Sequence, residues 1–269
     1  MDKPLAGQVA LITGSGRGLG NAIATRLAEL GASVAVHDIS QEAPAEFGEA
    51  KNLDEVAAKM GEKYGVKTTA VTGNIADEAI VKAFVAKAEA ALGPISVLVN
   101  CAGGDIAAKG GKPKPNNALG IPLEDVRAMF DRNLIGTMIL CRTICPGMIE
   151  RKKGAVVNIG STAAHQAFTD GVAYAVAKAG IVHFSRCLAM DLRAHGIRVN
   201  VVSPGPTKTA RFMVTRVTDP NMVDESHPLD RYAKPEEIAD VVAFFAADAS
   251  RFVSGQVIRV DGGGQLWPG

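Results

Sequence analysis

The sequence lacks the features that would place it in several specialised classes. Lysine and arginine number 29 and aspartate and glutamate 28, so neither sign of charge dominates. The electrostatic footprint of a protein that binds nucleic acid or an anionic membrane is therefore missing. No apolar run approaches the roughly 20 residues that cross a bilayer, and no secretory signal follows Met1. These absences predict a cytoplasmic protein without a nucleic-acid or membrane partner.

Cysteine is scarce as well. The chain has four cysteines and five histidines, without a CxxC pair or the spacing of metal ligands. Cys141 and Cys145 lie four residues apart in an apolar stretch, and we expect them, with Cys101 and Cys187, to be free thiols packed in a core. The sequence thus predicts neither a disulfide nor a metal site, and it favours a reducing compartment.

Short apolar segments are abundant. Seven runs of four to six residues are mostly apolar on both faces, as buried parallel strands are; they cover residues 9–12, 33–36, 68–71, 96–99, 155–159, 197–202 and 256–260. Longer segments with helical spacing lie between them. This alternation predicts an α/β fold, a parallel seven-stranded sheet with helices on both faces. The 269 residues suit a single domain.

Two stretches break this pattern. Residues 104–121 are rich in glycine and proline, and residues 205–234 are polar with scattered apolar side chains. Both follow predicted strands, so we expect both at the carboxyl ends of the sheet, where open α/β sheets bind ligands. Residues 109–117 combine flexible glycines with stiffening prolines, which favours a flap over a substrate. A solvated excursion or an oligomer contact is the alternative.

A glycine-rich turn follows the first predicted strand. A predicted helix comes after the turn. The residues of the turn are Gly14, Ser15, Gly16, Arg17, Gly18, Leu19 and Gly20. Glycines allow a tight turn and a close approach to a phosphate, while the helix N-terminus offers free N–H groups and a positive dipole end. With a second strand about twenty residues further on, the pattern predicts a dinucleotide site.

Asp38 ends the second predicted strand. A carboxylate there accepts hydrogen bonds from both hydroxyls of the adenosine ribose and repels a 2′-phosphate, which favours NAD over NADP. Arg17 complicates this prediction, because a guanidinium beside the second glycine of the turn is able to hold a 2′-phosphate. NAD is the predicted cofactor, and NADP is the alternative.

Tyr174 and Lys178 are spaced to share one face of a helix, and Ser161 closes the strand before that helix. A phenol with a pKa of about 10 takes up a proton poorly at neutral pH, but a neighbouring ammonium lowers that pKa. A serine hydroxyl is able to hold a substrate oxygen while the tyrosine exchanges its proton. The three residues therefore predict an acid–base site.

Over essentially its whole length the chain resembles the classical short-chain dehydrogenase/reductase (SDR) family. Besides the glycine turn, Asn100-Cys101-Ala102-Gly103 is similar to that family's NAG motif, and residues 198–205 match the segment after its active-site helix. The resemblance implies a Rossmann-type, doubly wound fold and a catalytic tetrad, which is formed by Asn133, Ser161, Tyr174 and Lys178.

The resemblance also implies a role for each residue. Tyr174 is the expected general acid/base; Lys178 lowers its pKa and binds the nicotinamide ribose. Ser161 holds the reacting oxygen, and Asn133 anchors a water linked to Lys178. Asn74 and Ile75 stand where the family usually has Asp-Val, so we expect an altered adenine contact. The turn, Asp38, Tyr174 and Lys178 are expected to contact the cofactor. The resemblance implies further cofactor contacts from Asn74, Ile75, Asn100, Ala102, Gly103, Pro204, Gly205, Thr207 and Thr209.

The expected function is NAD(H)-dependent interconversion of a secondary alcohol and a ketone. An NADP(H)-dependent ketoreductase, a dehydratase or epimerase, and a non-catalytic nucleotide-binding protein are the alternatives. Basic loop residues such as Arg211 and Arg216 either favour an acidic substrate or are solvated. The candidate substrate residues are Gly104, Asp105, Ala163, His165 and Phe168, of which His165 is also typical of a polar wall.

The family resemblance further implies a homotetramer in which the active-site helix packs against its mate. Residues 171–179 are rich in small side chains, which allow two helices to approach closely. The carboxyl end, residues 262–269 with Trp267, is a second candidate contact with a neighbouring subunit. Residues 41–50 resemble an insertion after Asp38.

Overall fold

The computed structural model describes residues 3–266. Seven strands form one sheet in the order β3-β2-β1-β4-β5-β6-β7, and every pair is parallel. The order reverses between β1 and β4, which is the switch point where doubly wound sheets bind ligands. The strands are β1 (Val9–Ile12), β2 (Ser33–Asp38), β3 (Thr68–Thr72), β4 (Val97–Asn100), β5 (Gly154–Ile159), β6 (Ile197–Pro204) and β7 (Val257–Val260). The predicted fold class is confirmed.

Helices cover both faces of the sheet. The longest, which carries the predicted tyrosine and lysine, follows β5. The helices are α1 (Gly18–Glu29), α2 (Leu53–Tyr64), α3 (Glu78–Leu92), α4 (Leu123–Phe130), α5 (Gly136–Arg151), α6 (Val172–Leu192), α7 (Ala210–Thr215), α8 (Pro220–Val223) and α9 (Pro235–Ala246).

Two hydrophobic cores lie on opposite faces of the sheet. Because side chains alternate along a strand, Ala10 and Ile12 of β1 enter one core while Val9 and Leu11 enter the other. The first core is formed with α1, α2 and α9, and the second with α3, α5 and α6. This two-sided burial explains why the strands read as continuous apolar runs.

The irregular stretches are only partly irregular. Residues 41–50 contain a 3₁₀ turn at Ala43–Phe47, and the stretch 205–234 contains the short helices α7 and α8. The hydrophobic periodicity of the sequence does not predict these elements, because each is only about one or two turns long and too short to show a helical period.

The four cysteines are free. Cys141 and Cys145 are buried on α5, as expected, and Cys101 is half-buried. Cys187 is exposed on α6, so its predicted packing in a core is wrong; it lies on the solvent side of that helix. Within residues 3–266, no three His, Cys, Asp or Glu side chains cluster as metal ligands, and none of the helices has the length and apolarity to cross a membrane. Trp267 lies outside the described residues.

Candidate active site

The glycine turn is fastened to the end of β4. Thr13, the last residue before it, accepts hydrogen bonds at Oγ1 from the N–H groups of Cys101 and Ala102, both at 3.1 Å. Gly14 has a φ of +65°, and a Cβ there would lie 2.9 Å from the Cα of Ala102. A Cβ on Gly20 would lie 2.1 Å from the Gly14 carbonyl oxygen. Only glycine fits these positions, which leaves the backbone of the turn bare at the carboxyl edge of the sheet.

A second set of contacts fastens the turn to β2. The Ser15 hydroxyl donates to the Ile12 carbonyl (2.7 Å) and accepts from the His37 N–H (2.9 Å). A Cβ on Gly16 would lie 2.8 Å from Oδ2 of Asp38, so the predicted ribose carboxylate lies directly against the turn. Burial raises the pKa of Asp38, while the Ile39 N–H and the charge of Arg17 lower it.

These residues fit a nicotinamide dinucleotide. The bare turn opens at the N-terminus of α1, and the methyl group of Thr209 lies 3.5 Å from where a Cβ of Gly18 would be. Asn100, at the end of β4, donates to Asn158 at 2.7 Å, but its own Oδ1 is buried with no hydrogen-bond partner among the described residues. A buried amide oxygen without a donor is costly, but this one is enclosed by protein, so the fit of a dinucleotide rests on the turn.

Ser161, Tyr174 and Lys178 come together beside the turn. Ser161 follows β5 and caps a short 3₁₀ turn, its Oγ accepting from the Ala163 N–H at 3.1 Å. The Ser161 side chain lies close enough to Tyr174 to lower the pKa of its hydroxyl. Lys178 is buried, donates from Nζ to the Ile159 carbonyl at 2.8 Å, and lies 5.7 Å from the centre of the Tyr174 ring. The structure therefore places three members of the predicted tetrad in one cluster.

Burial shifts the pKa values of both Tyr174 and Lys178. Burial raises the pKa of Tyr174, and the neighbouring Ser161 only partly opposes that effect. Burial lowers the pKa of Lys178 itself to about 8.

Asn133 completes the cluster from the opposite side. It lies in a π-helical turn, Asp131–Ile135, a distortion that is frequent at functional sites. Its Oδ1 accepts from the Gly104 N–H (2.9 Å), and its Nδ2 donates to the carbonyls of Met129 (2.9 Å) and Gly104 (3.1 Å). A Cβ on Gly103 would lie 2.4 Å from this Oδ1 and 3.7 Å from the Lys178 ammonium, so Gly103 is clamped between the two residues.

The remaining predicted cofactor residues divide into two groups. Asn74 is exposed and uses its Oδ1 to accept from the Ala76 N–H (3.0 Å), whereas Ile75 is buried against Gly136. Pro204 ends β6, and Gly205, Thr207 and Thr209 continue along the same edge of the sheet; Thr209 caps α7 by accepting from the Phe212 N–H at 3.1 Å.

The two long loops meet near Tyr174. Asp105 is buried, accepts from Nδ2 of Asn116 (3.1 and 3.2 Å), and has Arg216 at 3.6 Å. The charges of Asp105 and Arg216 both act on the pKa of Tyr174, so they lie close to the catalytic cluster. Asn116 also accepts at its carbonyl from the N–H groups of Gly171 (2.9 Å) and Val172 (3.4 Å), at the start of α6.

The other predicted substrate residues are less central. His165 shares a hydrogen bond of 3.0 Å with the hydroxyl of Ser203, which fixes it in the wall of the site. Phe168 is 40% exposed. Gly104 packs against the guanidinium of Arg211, a half-buried side chain that has no ion-pair partner among the described residues.

Residues 41–50 supply two contacts that the sequence did not reveal. Glu46 forms an ion pair with Arg17 (Oε2 to Nη1, 2.6 Å), and Glu49 accepts from the N–H of Gly18 (2.8 Å). The only sequence signal was that both glutamates stand in a stretch that resembled an insertion. Thr13, which fastens the turn, directly precedes the glycines in the sequence but was given no predicted role of its own.

A doubly wound sheet with a bare first turn and a Ser-Tyr-Lys cluster defines a nucleotide-binding α/β oxidoreductase. Comparisons with known proteins agree. A family model described as enoyl-(acyl carrier protein) reductase matches residues 14–265. Cyclohexanol dehydrogenase of Rhodococcus sp. (strain TK6) is 33% identical, with 97% of each chain covered.

Two further relatives cover the chain as fully. The 3-oxoacyl-(acyl-carrier-protein) reductase FabG of Aquifex aeolicus (strain VF5) is 34% identical over 98% of this chain and 99% of its own. The structure of a 7α-hydroxysteroid dehydrogenase with NADH and 7-oxo glycochenodeoxycholic acid aligns with a TM-score of 0.83, at 32% identity, over 97% of this chain and 95% of that one. The chain belongs to the short-chain dehydrogenase/reductase family, which confirms the resemblance found in the sequence.

Proposed function

We propose that the protein is an NAD(H)-dependent oxidoreductase that interconverts a secondary alcohol and a ketone. The observation that carries this proposal is the cluster of Ser161, Tyr174 and Lys178 beside the glycine turn, with Asn133 and Lys178 on either side of Gly103. The hydroxyls of Ser161 and Tyr174, which would bind the substrate oxygen, thus lie at the same edge of the sheet as the proposed dinucleotide site.

The chain's own residues handle binding and the proton. A bound nicotinamide supplies the hydride chemistry. The Ser161 hydroxyl holds the substrate oxygen, while the Tyr174 hydroxyl takes the proton of an alcohol or returns it to a ketone. The nearby Lys178 ammonium, fixed by the Ile159 carbonyl, offsets the negative charge that a deprotonated Tyr174 would carry. Asn133 holds Gly104 and so fixes the chain beside Lys178.

The choice of NAD rests on Asp38. Its carboxylate is buried against Gly16, where it is able to accept from the ribose hydroxyls and repels a 2′-phosphate. Asn100, Ala102 and Gly103 at β4, and the segment from Pro204 to Thr209, form the rest of the proposed cofactor site.

A panel assay tests the function. Secondary alcohols that include cyclohexanol and a hydroxysteroid are offered with NAD or NADP, and the matching ketones with the reduced cofactors. We expect net cofactor reduction or oxidation, seen as a change in nicotinamide absorbance, with kcat/KM higher for NAD. Product formation without net change of the cofactor would instead indicate an epimerase or dehydratase.

We also propose a homotetramer and a reducing, cytoplasmic setting. Apolar side chains stay exposed on α6, with Val176 51% and Met190 70% accessible, and a matching helix of a second subunit would cover them. The four free cysteines support the proposal of a reducing compartment, in which thiols stay reduced. Light scattering of the purified protein tests the assembly, and a monomer at micromolar concentration would contradict it.

A further inference from the structure

The segment between β2 and α2, residues 39–52, folds over the glycine turn and contacts Arg17. The ion pair between Arg17 and Glu46 is 2.6 Å long, and the Arg17 guanidinium lies 4.8 Å above the centre of the Phe47 ring. The Arg17 side chain is only 20% exposed. Two consecutive residues of one segment therefore hold this guanidinium, one by charge and one by its aromatic face.

The held guanidinium lies next to the carboxylate of the proposed ribose site. Arg17 and Glu46 both act electrostatically on Asp38, the first lowering and the second raising its pKa. Gly16 lies between Asp38 and the segment 39–52. A Cβ on Gly16 would lie 2.8 Å from Oδ2 of Asp38 and 2.9 Å from Cγ of Pro44. Asp38, Arg17 and Glu46 thus form one charged group at the adenosine end of the turn.

These three charges determine which substituent at the 2′ position of the adenosine ribose the site would accept. A free arginine beside a ribose is a good ligand for a phosphate, because its planar fork matches phosphate oxygens. Here, however, the Arg17 guanidinium is already paired with the Glu46 carboxylate. A 2′-phosphate, with a charge of roughly −1.5 to −2, would have to displace Glu46 and also face Asp38, whereas a 2′-hydroxyl needs neither step.

We propose that Glu46 is a cofactor-specificity residue: it withholds Arg17 from a 2′-phosphate and so reinforces the selection of NAD by Asp38. This inference rests on the dinucleotide site of the proposed function. It also explains how an arginine in the glycine turn coexists with an NAD-type carboxylate. Residues 41–50, which resemble an insertion, thereby gain a role in recognition.

The inference is tested by direct binding, which needs no knowledge of the substrate. Dissociation constants of NADH and NADPH are measured from nicotinamide fluorescence for the wild type and for Glu46→Gln. The glutamine keeps the size of the side chain but loses the charge. We expect NADPH to bind roughly tenfold more tightly to the variant, equivalent to about 1.4 kcal/mol, and the Kd of NADH to change less than twofold.

Three further variants sharpen the result. Glu42→Gln, in the same segment and exposed, is the matched control for a general loss of negative charge, and both affinities should stay as in the wild type. Arg17→Gln combined with Glu46→Gln should abolish the gain in NADPH affinity. Asp38→Asn should weaken NADH binding, which Glu46→Gln should not.

The outcomes separate the two levels of the proposal. Unchanged NADPH affinity in Glu46→Gln, an equal gain in Glu42→Gln, or a gain that survives the loss of Arg17 would each overturn the role of Glu46 while leaving an NADH site intact. A wild-type protein that binds neither cofactor would overturn both this inference and the proposed function. NADH affinity and circular dichroism of the variants report that they are folded.

Discussion

The carboxylate of Glu49 accepts a hydrogen bond from the backbone N–H of Gly18, with 2.8 Å between Oε2 and N. Gly18 is the first residue of α1, so an acidic side chain of the chain itself lies at the positive end of the helix dipole. The glycine turn would receive the diphosphate of the cofactor at this place. Two anions would then compete for one N–H group.

Replacement of Glu49 by glutamine should therefore strengthen NADH binding. The neutral amide competes less well for the N–H and no longer repels the diphosphate. We expect the Kd of NADH to fall severalfold, measured by nicotinamide fluorescence at low and high salt, with the larger gain at low salt. Glu42→Gln again serves as the control. Weaker NADH binding in Glu49→Gln would show that Glu49 shapes the site and does not compete with the cofactor.

His37 predicts how stability depends on pH. It is buried, and its Nδ1 accepts from the Gly14 N–H (3.4 Å), so the neutral ring donates from Nε2 to the Gly73 carbonyl (3.0 Å). Burial lowers the pKa of His37 from 6.5 to about 4. Between these values the unfolded chain binds a proton that the folded chain does not, so the free energy of unfolding falls as the pH is lowered through this range.

The expected loss from this one group is at most about 3 kcal/mol. It is measured by urea unfolding at a series of pH values from neutral down to pH 4. His37→Gln should unfold more easily at neutral pH but show a flatter dependence on pH. His227→Gln, at an exposed histidine, should keep the wild-type slope. Equal slopes in the wild type and His37→Gln would refute the assignment.

The loop at residues 104–121 is predicted to act on the substrate and not on the cofactor. Asn116 anchors it to α6 and Asp105 links it to Arg216, both near Tyr174. Replacing residues 109–114 with two glycines retains both contacts. For the best substrate of the panel, KM should rise roughly tenfold, about 1.4 kcal/mol, while the Kd of NADH stays constant. If KM and kcat both remain unchanged, the segment takes no part in catalysis.

Much of the fold was predictable from the sequence because its determinants are local. Buried parallel strands read as apolar runs, and the bare turn reads as glycines between a strand and a helix. The clustering of Ser161, Tyr174 and Lys178 was predictable because two of them share a helix face and the third follows the preceding strand.

The sequence could not show which distant charges pair. Arg17 was ambiguous because its partner, Glu46, lies 29 positions further along the chain and meets it only through the fold of residues 39–52. The raised pKa of Tyr174 likewise follows from burial, which depends on the packing of α6 and the two loops. The π-helical turn around Asn133 lies between α4 and α5 and packs against α6, a tertiary setting that residue spacing does not reveal.

The central claim is that Tyr174 exchanges the substrate's proton at an intact dinucleotide site. The most direct test compares Tyr174→Phe with the wild type in two measurements, the Kd of NADH and the kcat for the best alcohol of the panel. Only the phenolic oxygen is lost, so we predict NADH affinity within twofold of the wild type and a kcat lower by at least 100-fold, the lower limit for loss of a general acid/base. Turnover near that of the wild type, with NADH still bound, would contradict the account.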